Sequence, residues 1–256
     1  MTGPAAGPVV VDRRGAIAVL RLAHGKVNAM DVELARAVAA AVATAAADAT
    51  CRALVLTGEG RAFSAGVDLV RYVREGEGYA DAMLEALDAM LLAVYDCRLP
   101  TVAAMNGHAL AGGHVLACAC DLRVMAAGDG RVGVPEVAAG VPFPWLALEL
   151  VRLATAPQHL AELVALGTTF PAAEAHARGL VHELVAPPEL QSRALALAER
   201  LAANAGPAVD LQREQLRGSV LRDPARSAHD VRVRAVWRDP ATRRRVQEYL
   251  AKLAAR

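Results

Sequence analysis

Apolar residues in the first half of the chain follow two alternating patterns. Short apolar runs, typical of buried strands, alternate with longer stretches in which Leu, Val and Met recur every three or four positions, as on one face of a helix. The short runs predict strands over residues 9–11, 16–22, 53–57, 101–105 and 122–125. The periodic stretches predict helices over 32–47, 80–95 and 112–120. This alternation indicates an α/β fold that begins with a hairpin and continues with mostly parallel pairing.

Beyond about residue 142, helical periodicity dominates the pattern. Helices are predicted over 146–153, 158–166, 172–178, 190–203, 207–216 and 241–253, with a strand over 180–185. The change of pattern predicts a core over residues 1–195 and a helical C-terminal region over 196–256. We interpret the basic stretch at 232–245 as a solvated helix face with Trp237 packed beneath it; a subunit contact or a phosphate site is the alternative.

Composition narrows the class of protein. The 256 residues are 55% hydrophobic, enough for one large core. The chain has 28 Lys and Arg against 27 Asp and Glu, and no segment gathers enough basic residues to suggest a nucleic-acid track, which argues against a nucleic-acid partner. No apolar run has the length of a membrane span, and the N-terminal segment lacks the order of a signal peptide. The cysteines at 51, 97, 118 and 120 follow neither metal nor disulfide spacing. We therefore expect a cytoplasmic protein with reduced cysteines, no metal and no membrane partner.

Two glycine-bearing turns carry the candidate chemistry, FSAGVDL at 63–69 and ALAGGHVLACACDL at 109–122. Gly66 permits a turn that leaves the N–H of Val67 free to point into a cleft. Gly112 begins a predicted helix, whose first N–H groups lack intrahelical partners and lie at its positive end. Two such donors stabilise an oxyanion. The structural alternative for the first turn is an ordinary strand-to-helix loop in which Asp68 caps the next helix. For the second turn it is a pair of small residues that permit close helix packing.

A single acid, Glu136, lies in the stretch 132–141, which contains no other charge. An acid among apolar residues is paired, caps a turn, or carries a raised pKa suited to proton transfer. Taken alone, the position favours capping. We interpret His108 and His114, which flank the second turn, as structural, and Asp121 as the acceptor of a backbone hydrogen bond at a strand start.

Together these motifs resemble the crotonase superfamily, the enoyl-CoA hydratase/isomerase family, over nearly the whole chain. The resemblance rests on FSAGVDL, on NGHALAGGHVLACACDL after TVAAM, on VPEV, and on GTTFPAAEAHARGLVHELV at 167–185. It implies an α/β fold, the crotonase-like spiral of ββα units with a helical C-terminal trimerisation region, assembled as a homotrimer or hexamer. It also implies an acyl-CoA thioester substrate, a role in fatty acid metabolism, and no separate cofactor, because CoA is part of the substrate.

Matched position by position, the resemblance makes the N–H groups of Val67 and Gly112 the donors to the thioester oxygen. Hydratases of this family use two glutamates; the first place is Val115 here, and the second is Glu136. A valine cannot hold or deprotonate water. The pattern is therefore similar to the Δ3,Δ2-enoyl-CoA isomerases, in which one glutamate moves a proton from the alpha to the gamma carbon. The VNAM turn at 27–30 adds to this likeness.

The resemblance also implies which neighbouring residues contact the substrate: Ala65, Gly66, Gly113, Val115, Pro142, Phe143 and Trp145. Lys26, Arg61 and residues near the C-terminus are candidates for binding the CoA phosphates. Two alternatives remain open at this point. One is another reaction of the family, such as slow hydration, decarboxylation or thioester cleavage, with polar residues of 72–81 entering the site. The other is an acyl-CoA-binding protein without catalysis.

Overall fold

The computed structural model describes residues 7–255, and its strands form two sheets. The strands are β1 (Val9–Arg14), β2 (Ile17–Leu22), β3 (Ala53–Gly58), β4 (Ala62–Ser64), β5 (Thr101–Met105), β6 (His108–Leu110), β7 (Leu122–Ala126), β8 (Arg131–Gly133), β9 (Thr169–Pro171) and β10 (Glu183–Val185). The larger sheet has the order β1-β2-β3-β5-β7-β10 and the smaller one β4-β6-β8-β9. The predicted hairpin is confirmed, since β1 and β2 are antiparallel, and the rest of the larger sheet is parallel.

The helices surround these sheets. They are α1 (Val32–Ala47), α2 (Leu69–Glu75), α3 (Glu77–Tyr95), α4 (Gly112–Cys118), α5 (Glu136–Ala139), α6 (Trp145–Ala154), α7 (Pro157–Ala165), α8 (Ala172–Ala177), α9 (Leu190–Ala203), α10 (Pro207–Leu221), α11 (Ala225–Arg238) and α12 (Pro240–Ala254), with a 3₁₀ turn at Pro187–Glu189. A long strand, a three-residue strand and a helix follow one another in β3-β4-α2, β5-β6-α4 and β7-β8-α5. The expected spiral of ββα units is confirmed.

Several short elements escaped the sequence analysis. The strands β4, β6, β8 and β9 each have three residues, too few for a periodic signal, and the predicted strand over 180–185 is confined to Glu183–Val185. Helix α5 was not predicted, α2 was foreseen only as the helix that Asp68 would cap, and α11 only through the helix face expected around 232–245. The short strands matter, because the candidate turns begin where β4 and β6 end.

The predicted division at residue 195 does not coincide with a break in the structure. It falls inside α9, where Ala194, Leu197 and Ala198 pack against one face of the larger sheet. Farther along, buried side chains of the C-terminal helices belong to the main core on the opposite face: Val220, Val233, Trp237 and Val246. The C-terminal helices are therefore part of the same packed unit. The expectation that the N-terminal segment is not a signal peptide concerns residues 1–15, of which 1–6 lie outside the described residues.

Other expectations concern the surface and the thiols. No helix within residues 7–255 is long and apolar enough to cross a membrane. All four cysteines are free and buried, as predicted.

Asp121 connects the sheet to α10. Its carboxylate accepts hydrogen bonds from Thr101 N at 2.8 Å, Arg217 at 2.6 Å and Arg213 at 3.2 Å. The predicted backbone hydrogen bond at a strand start is confirmed, and the two arginines are an addition that sequence reasoning missed, because they lie about a hundred residues away in the chain.

We expect Asp121→Ala to lower the free energy of unfolding by about 3 kcal/mol, because two largely buried guanidinium groups and a strand amide lose their acceptor. Urea denaturation measures this loss. The exposed pair between Arg222 and Glu214 supplies the control, since Arg222→Ala should change stability by less than about 0.5 kcal/mol. Equal effects of the two substitutions would contradict the assignment.

Candidate active site

The two glycine turns are in direct contact at Gly66. This residue has a φ of +85°, and a methyl group built on it would lie 2.6 Å from Ala111 Cβ and 2.9 Å from Gly112 N. Only glycine accepts both the left-handed backbone and this close approach. The contact brings together the ends of β4 and β6, which are neighbours in the smaller sheet.

The amide of Val67 points away from the chain that flanks it. Gly66 O accepts a hydrogen bond from Met30 N at 2.7 Å, and the N–H of Val67 belongs to the same trans peptide, so it points in the opposite direction. Asp68 N donates to Met30 O at 2.9 Å and fixes the other side of this isolated bridge. Among the described residues, no acceptor pairs with the N–H of Val67.

Asn28 and Ser64 hold the first turn in place. Asn28 is buried with a φ of +51°, and its side-chain amide donates to Ala62 O at 3.0 Å and Phe63 O at 3.2 Å. The Ser64 hydroxyl donates to Asn28 O at 2.7 Å and accepts from Gly66 N at 3.1 Å. The VNAM turn therefore positions the FSAG turn, a role that its sequence did not reveal.

The second turn places a helix N-terminus beside Val67. Ala111 has a φ of +51°, and its N–H donates to Gly133 O at 2.8 Å. Helix α4 begins at Gly112, whose N–H has no acceptor among the described residues. A methyl group built on Gly112 would lie 3.7 Å from Val67 N, so the two free donors are neighbours.

These amides face an apolar cavity of about 420 Å³. Val67, Gly112, Val115 and Glu136 all line it, together with apolar side chains of α3 and α6 and of the segment between α5 and α6: Leu84, Leu87, Met90, Leu91, Phe143 and Ala147. The C-terminal helices add Trp237, Tyr249, Leu250 and Leu253. Two free donors, one acid and a hydrocarbon-lined space thus share one cavity.

Of the residues that the resemblance assigned to the substrate, Ala65, Val115, Pro142 and Phe143 line the cavity. Gly66 and Gly113 lie behind the cavity wall; a methyl group on Gly113 would lie 2.2 Å from Ser64 O, so this glycine lets α4 pack on β4. Trp145 also lies outside the wall. Its ring packs edge-on against the ring of His229, with the ring centres 5.5 Å apart, and its backbone N–H donates to Asp230 Oδ1 at 2.8 Å.

Trp237, not Trp145, is the indole of the cavity. Its Nε1–H donates to Pro142 O at 3.2 Å, and Tyr72 contacts its ring edge-on at 5.0 Å and donates its hydroxyl to Trp237 O at 2.7 Å. The predicted packing of Trp237 beneath a polar helix face is confirmed, since it is 4% exposed. Sequence reasoning missed its place in the cavity, because no local signal connects Trp237 with Tyr72 or Pro142.

Glu136 is the ionisable group that the cavity perturbs most. It is the first residue of α5, Pro135 occupies the cap position, and no side chain caps this helix, so the capping interpretation is wrong. The residue is half-buried because it forms part of the cavity wall, but its Oε2 is inaccessible to water and has no hydrogen-bond partner among the described residues. This burial raises the pKa of Glu136 to about 8.

Among residues 7–255, no second acid is free in the cavity. Val115 is 2% exposed and presents its side chain there. Asp68, the other acidic residue of the described wall, caps α2 by accepting from Arg71 N at 2.9 Å. The carboxylate of Glu136 is therefore the available base.

The histidines beside the second turn point elsewhere. His114 is completely buried 3.5 Å from Cys118, and burial lowers its pKa to about 3. His108 accepts a hydrogen bond from Arg131 N at 3.2 Å. Neither residue lines the cavity, and within the described part of the chain no group of His, Cys, Asp or Glu is arranged to hold a metal ion.

Residues 72–81 do not reach the cavity either. Tyr79 is buried beneath the Arg71 guanidinium, 4.8 Å from its ring centre, and the hydroxyl of Tyr72 is used by Trp237. The alternative in which this segment supplies polar catalytic groups therefore lacks the required contacts.

Comparisons with known proteins agree with this geometry. The family model for enoyl-CoA hydratase/isomerase matches residues 12–250. A protein of Thermus thermophilus, provisionally named an enoyl-CoA hydratase, is 40% identical over 74% of this chain and 75% of its own. The mitochondrial enoyl-CoA delta isomerase 1 of Rattus norvegicus is 34% identical over 73% of this chain and 66% of its own. The crystal structure of human mitochondrial Δ3-Δ2-enoyl-CoA isomerase superposes with a TM-score of 0.90 at 24% identity, covering 97% of this chain and 98% of that one.

The chain belongs to the enoyl-CoA hydratase/isomerase family, which confirms the resemblance seen in its motifs. The names of its relatives include both hydratases and isomerases, so family membership alone leaves the reaction open.

We expect Gly66→Ala to lower the free energy of unfolding by more than about 1 kcal/mol, because the added methyl group meets Ala111 and Gly112 and the φ of +85° is strained for alanine. Ala111→Gly is the matched control in the facing turn, where glycine relieves a positive φ, and it should not lower stability. Chemical denaturation of both variants measures the contrast, and equal destabilisation would contradict it.

The raised pKa of Glu136 predicts a pH-dependent stability. The folded state keeps this proton up to about pH 8, whereas the unfolded chain releases it near its ordinary pKa of 4.5, so the wild type loses stability between these values. Glu136→Gln removes this loss, and its advantage over the wild type should grow with pH and level off above about pH 8. Urea denaturation across this range, with exposed Glu248→Gln as control, measures it. A constant difference would show that the Glu136 carboxyl titrates normally.

Proposed function

We propose that the chain is an enoyl-CoA isomerase that shifts a double bond from the 3- to the 2-position of an enoyl-CoA. The observation that carries this proposal is the buried, unpaired Oε2 of Glu136 on the wall that also presents the free amides of Val67 and Gly112. One proton carrier and two oxyanion donors are the groups that an enolate intermediate requires.

In the proposed mechanism, the thioester oxygen accepts hydrogen bonds from Val67 and Gly112. The Glu136 carboxylate removes a proton from the alpha carbon, and the negative charge moves onto the oxygen. Each donor contributes about 3 to 4 kcal/mol to stabilising this charge. The carboxylic acid then returns the proton to the gamma carbon, which leaves the double bond conjugated with the thioester and restores the carboxylate.

The raised pKa of Glu136 suits both halves of this cycle. A carboxyl group with a pKa near 8 is a stronger base than an exposed glutamate, and it holds the proton long enough to deliver it. Ala65, Val115, Pro142 and Phe143 supply apolar walls that keep water from the enolate.

Hydration is the alternative that the hydratase name of the Thermus thermophilus relative favours. It requires a group that holds or activates water opposite Glu136, and the buried Val115 offers none. The rat isomerase relative favours the single-carboxylate reaction. We therefore place isomerisation first.

The surroundings of the reaction are part of the proposal. Lys26 and Arg61 line a surface cleft with Gly60 and are the proposed contacts of the CoA phosphates, with no separate cofactor. Exposed Leu211, Leu216 and Val231 on α10 and α11 support assembly as a homotrimer or hexamer. Four free cysteines support a cytoplasmic site of action.

Purified protein should convert 3-hexenoyl-CoA to the conjugated 2-enoyl thioester, and the absorbance of the product measures this conversion. Glu136→Gln should lower kcat by roughly 10² to 10⁴. For the wild type, kcat/KM should rise with pH up to about pH 8, because the carboxylate is the reactive form. This dependence should disappear in the variant, and Glu248→Gln should behave as the wild type.

Other outcomes would favour other functions. Full activity of Glu136→Gln would reject the mechanism. Hydration of a 2-enoyl-CoA at a higher rate than isomerisation would indicate a hydratase, and tight acyl-CoA binding without turnover would indicate a binding protein.

A further inference from the structure

Leu84 lies between an apolar cavity and a small cleft lined by charged residues. Leu84 and Pro144 line the apolar cavity, and the same two residues line a small cleft of about 40 Å³ together with Asp88, Asp230 and Arg234. Leu84 is 4% exposed. With Pro144, it separates a hydrocarbon-lined space from a charged one.

Position along α3 explains why one residue faces both spaces. Leu84, Leu87 and Leu91 recur at helical spacing and line the apolar cavity, whereas Asp88 lies one turn after Leu84 and lines the cleft. Leu84 is thus at the edge between an apolar and a charged face of the same helix.

The charges behind Leu84 are held by α11. Arg226 donates to Asp88 Oδ1 at 2.7 Å and Oδ2 at 2.5 Å, and it lies 3.8 Å from Asp230. Asp230 also accepts from Trp145 N at 2.8 Å, which fixes the start of α6. The cleft is large enough for water, and these groups offer such water several partners.

The binding free energy of an alkyl chain differs on the two sides of Leu84. Each methylene that enters the apolar cavity leaves water and improves binding. A methylene that reached Asp88 and Asp230 would take hydration from charged groups and gain little. The reacting groups come from the turns before α2 and α4 and from α5, whereas Leu84 and Pro144 belong to the wall that α3 and the start of α6 contribute.

We infer that Leu84, backed by Pro144, is the specificity-determining residue that ends the acyl-binding space, so that the substrates are CoA esters of wholly hydrocarbon chains of limited length. The inference rests on the proposed function in taking the apolar cavity as the acyl site. No charged side chain of the described cavity wall other than Asp68 and Glu136 is present to bind a polar acyl group.

Calorimetric binding of saturated acyl-CoAs from butanoyl to dodecanoyl tests this inference. For the wild type, Kd should fall roughly fourfold with each added methylene until the acyl chain fills the cavity, and then stop changing. We call the chain length at which Kd stops changing the break length, or the break. Leu84→Ala joins the two spaces and should move the break to longer chains. Leu84→Phe fills the end of the cavity and should move it to shorter chains.

Leu92→Ala is the matched control. It makes the same change on the same helix, at a partly buried position that lines neither space, and should leave the break length unchanged. Thermal melting establishes which variants fold. The two Leu84 variants should shift the break length in opposite directions, so a single folded variant is sufficient to test whether Leu84 ends the acyl-binding space. An unmoved break, or an equal loss of affinity for every chain length, would overturn the inference.

This test is separate from the test of the reaction. Saturated esters cannot isomerise, so their binding does not depend on turnover. A wild type without isomerase activity but with a break that depends on Leu84 would reject the proposed function and keep the acyl-length assignment. A wild type that is an active isomerase, but whose break length does not change in the Leu84 variants, would keep the proposed function and reject the acyl-length assignment.

Discussion

The close contact between two glycine turns is the constraint on which the candidate site depends. Gly66 lies against Ala111 and Gly112 at a distance that excludes any side chain, and Gly113 lies even closer to Ser64. Because of these contacts, the peptide that ends at Val67 and the first peptide of α4 lie side by side. The N–H of Val67 stays unpaired because the carbonyl of the same peptide is held by Met30, and the N–H of Gly112 stays unpaired because it lies at the start of α4. The rest of the fold holds this pair in front of a cavity.

The same cavity perturbs the acid. Burying a carboxyl without a partner costs free energy, and here that cost appears as the raised pKa of Glu136. An ion pair would remove the cost and also the basicity. The folded state therefore tolerates an unpaired polar atom at the place where a proton carrier is useful, a pattern typical of functional sites.

The C-terminal helices contribute to the cavity of their own chain. Trp237 is fixed to Pro142 and Tyr72, and α12 adds Tyr249, Leu250 and Leu253 to the wall. On the far side, α11 supplies Arg226 and Asp230, which stand behind Leu84. The C-terminal helices thus bound the apolar cavity in two ways. Their apolar side chains form part of its wall, and charged side chains of α11 lie behind Leu84.

Sequence alone determined the alternation of strands and helices, the hairpin, the two glycine turns and the isolated acid, because apolar periodicity and glycine are local signals. It also identified the family through four motifs in order. It could not show β4 and β6, whose three residues carry no periodicity, nor separate Trp145 from Trp237 as the indole of the cavity. Only the tertiary structure decided those points, together with the burial of Glu136 and the double role of Leu84. Each of them depends on contacts between residues far apart in the chain.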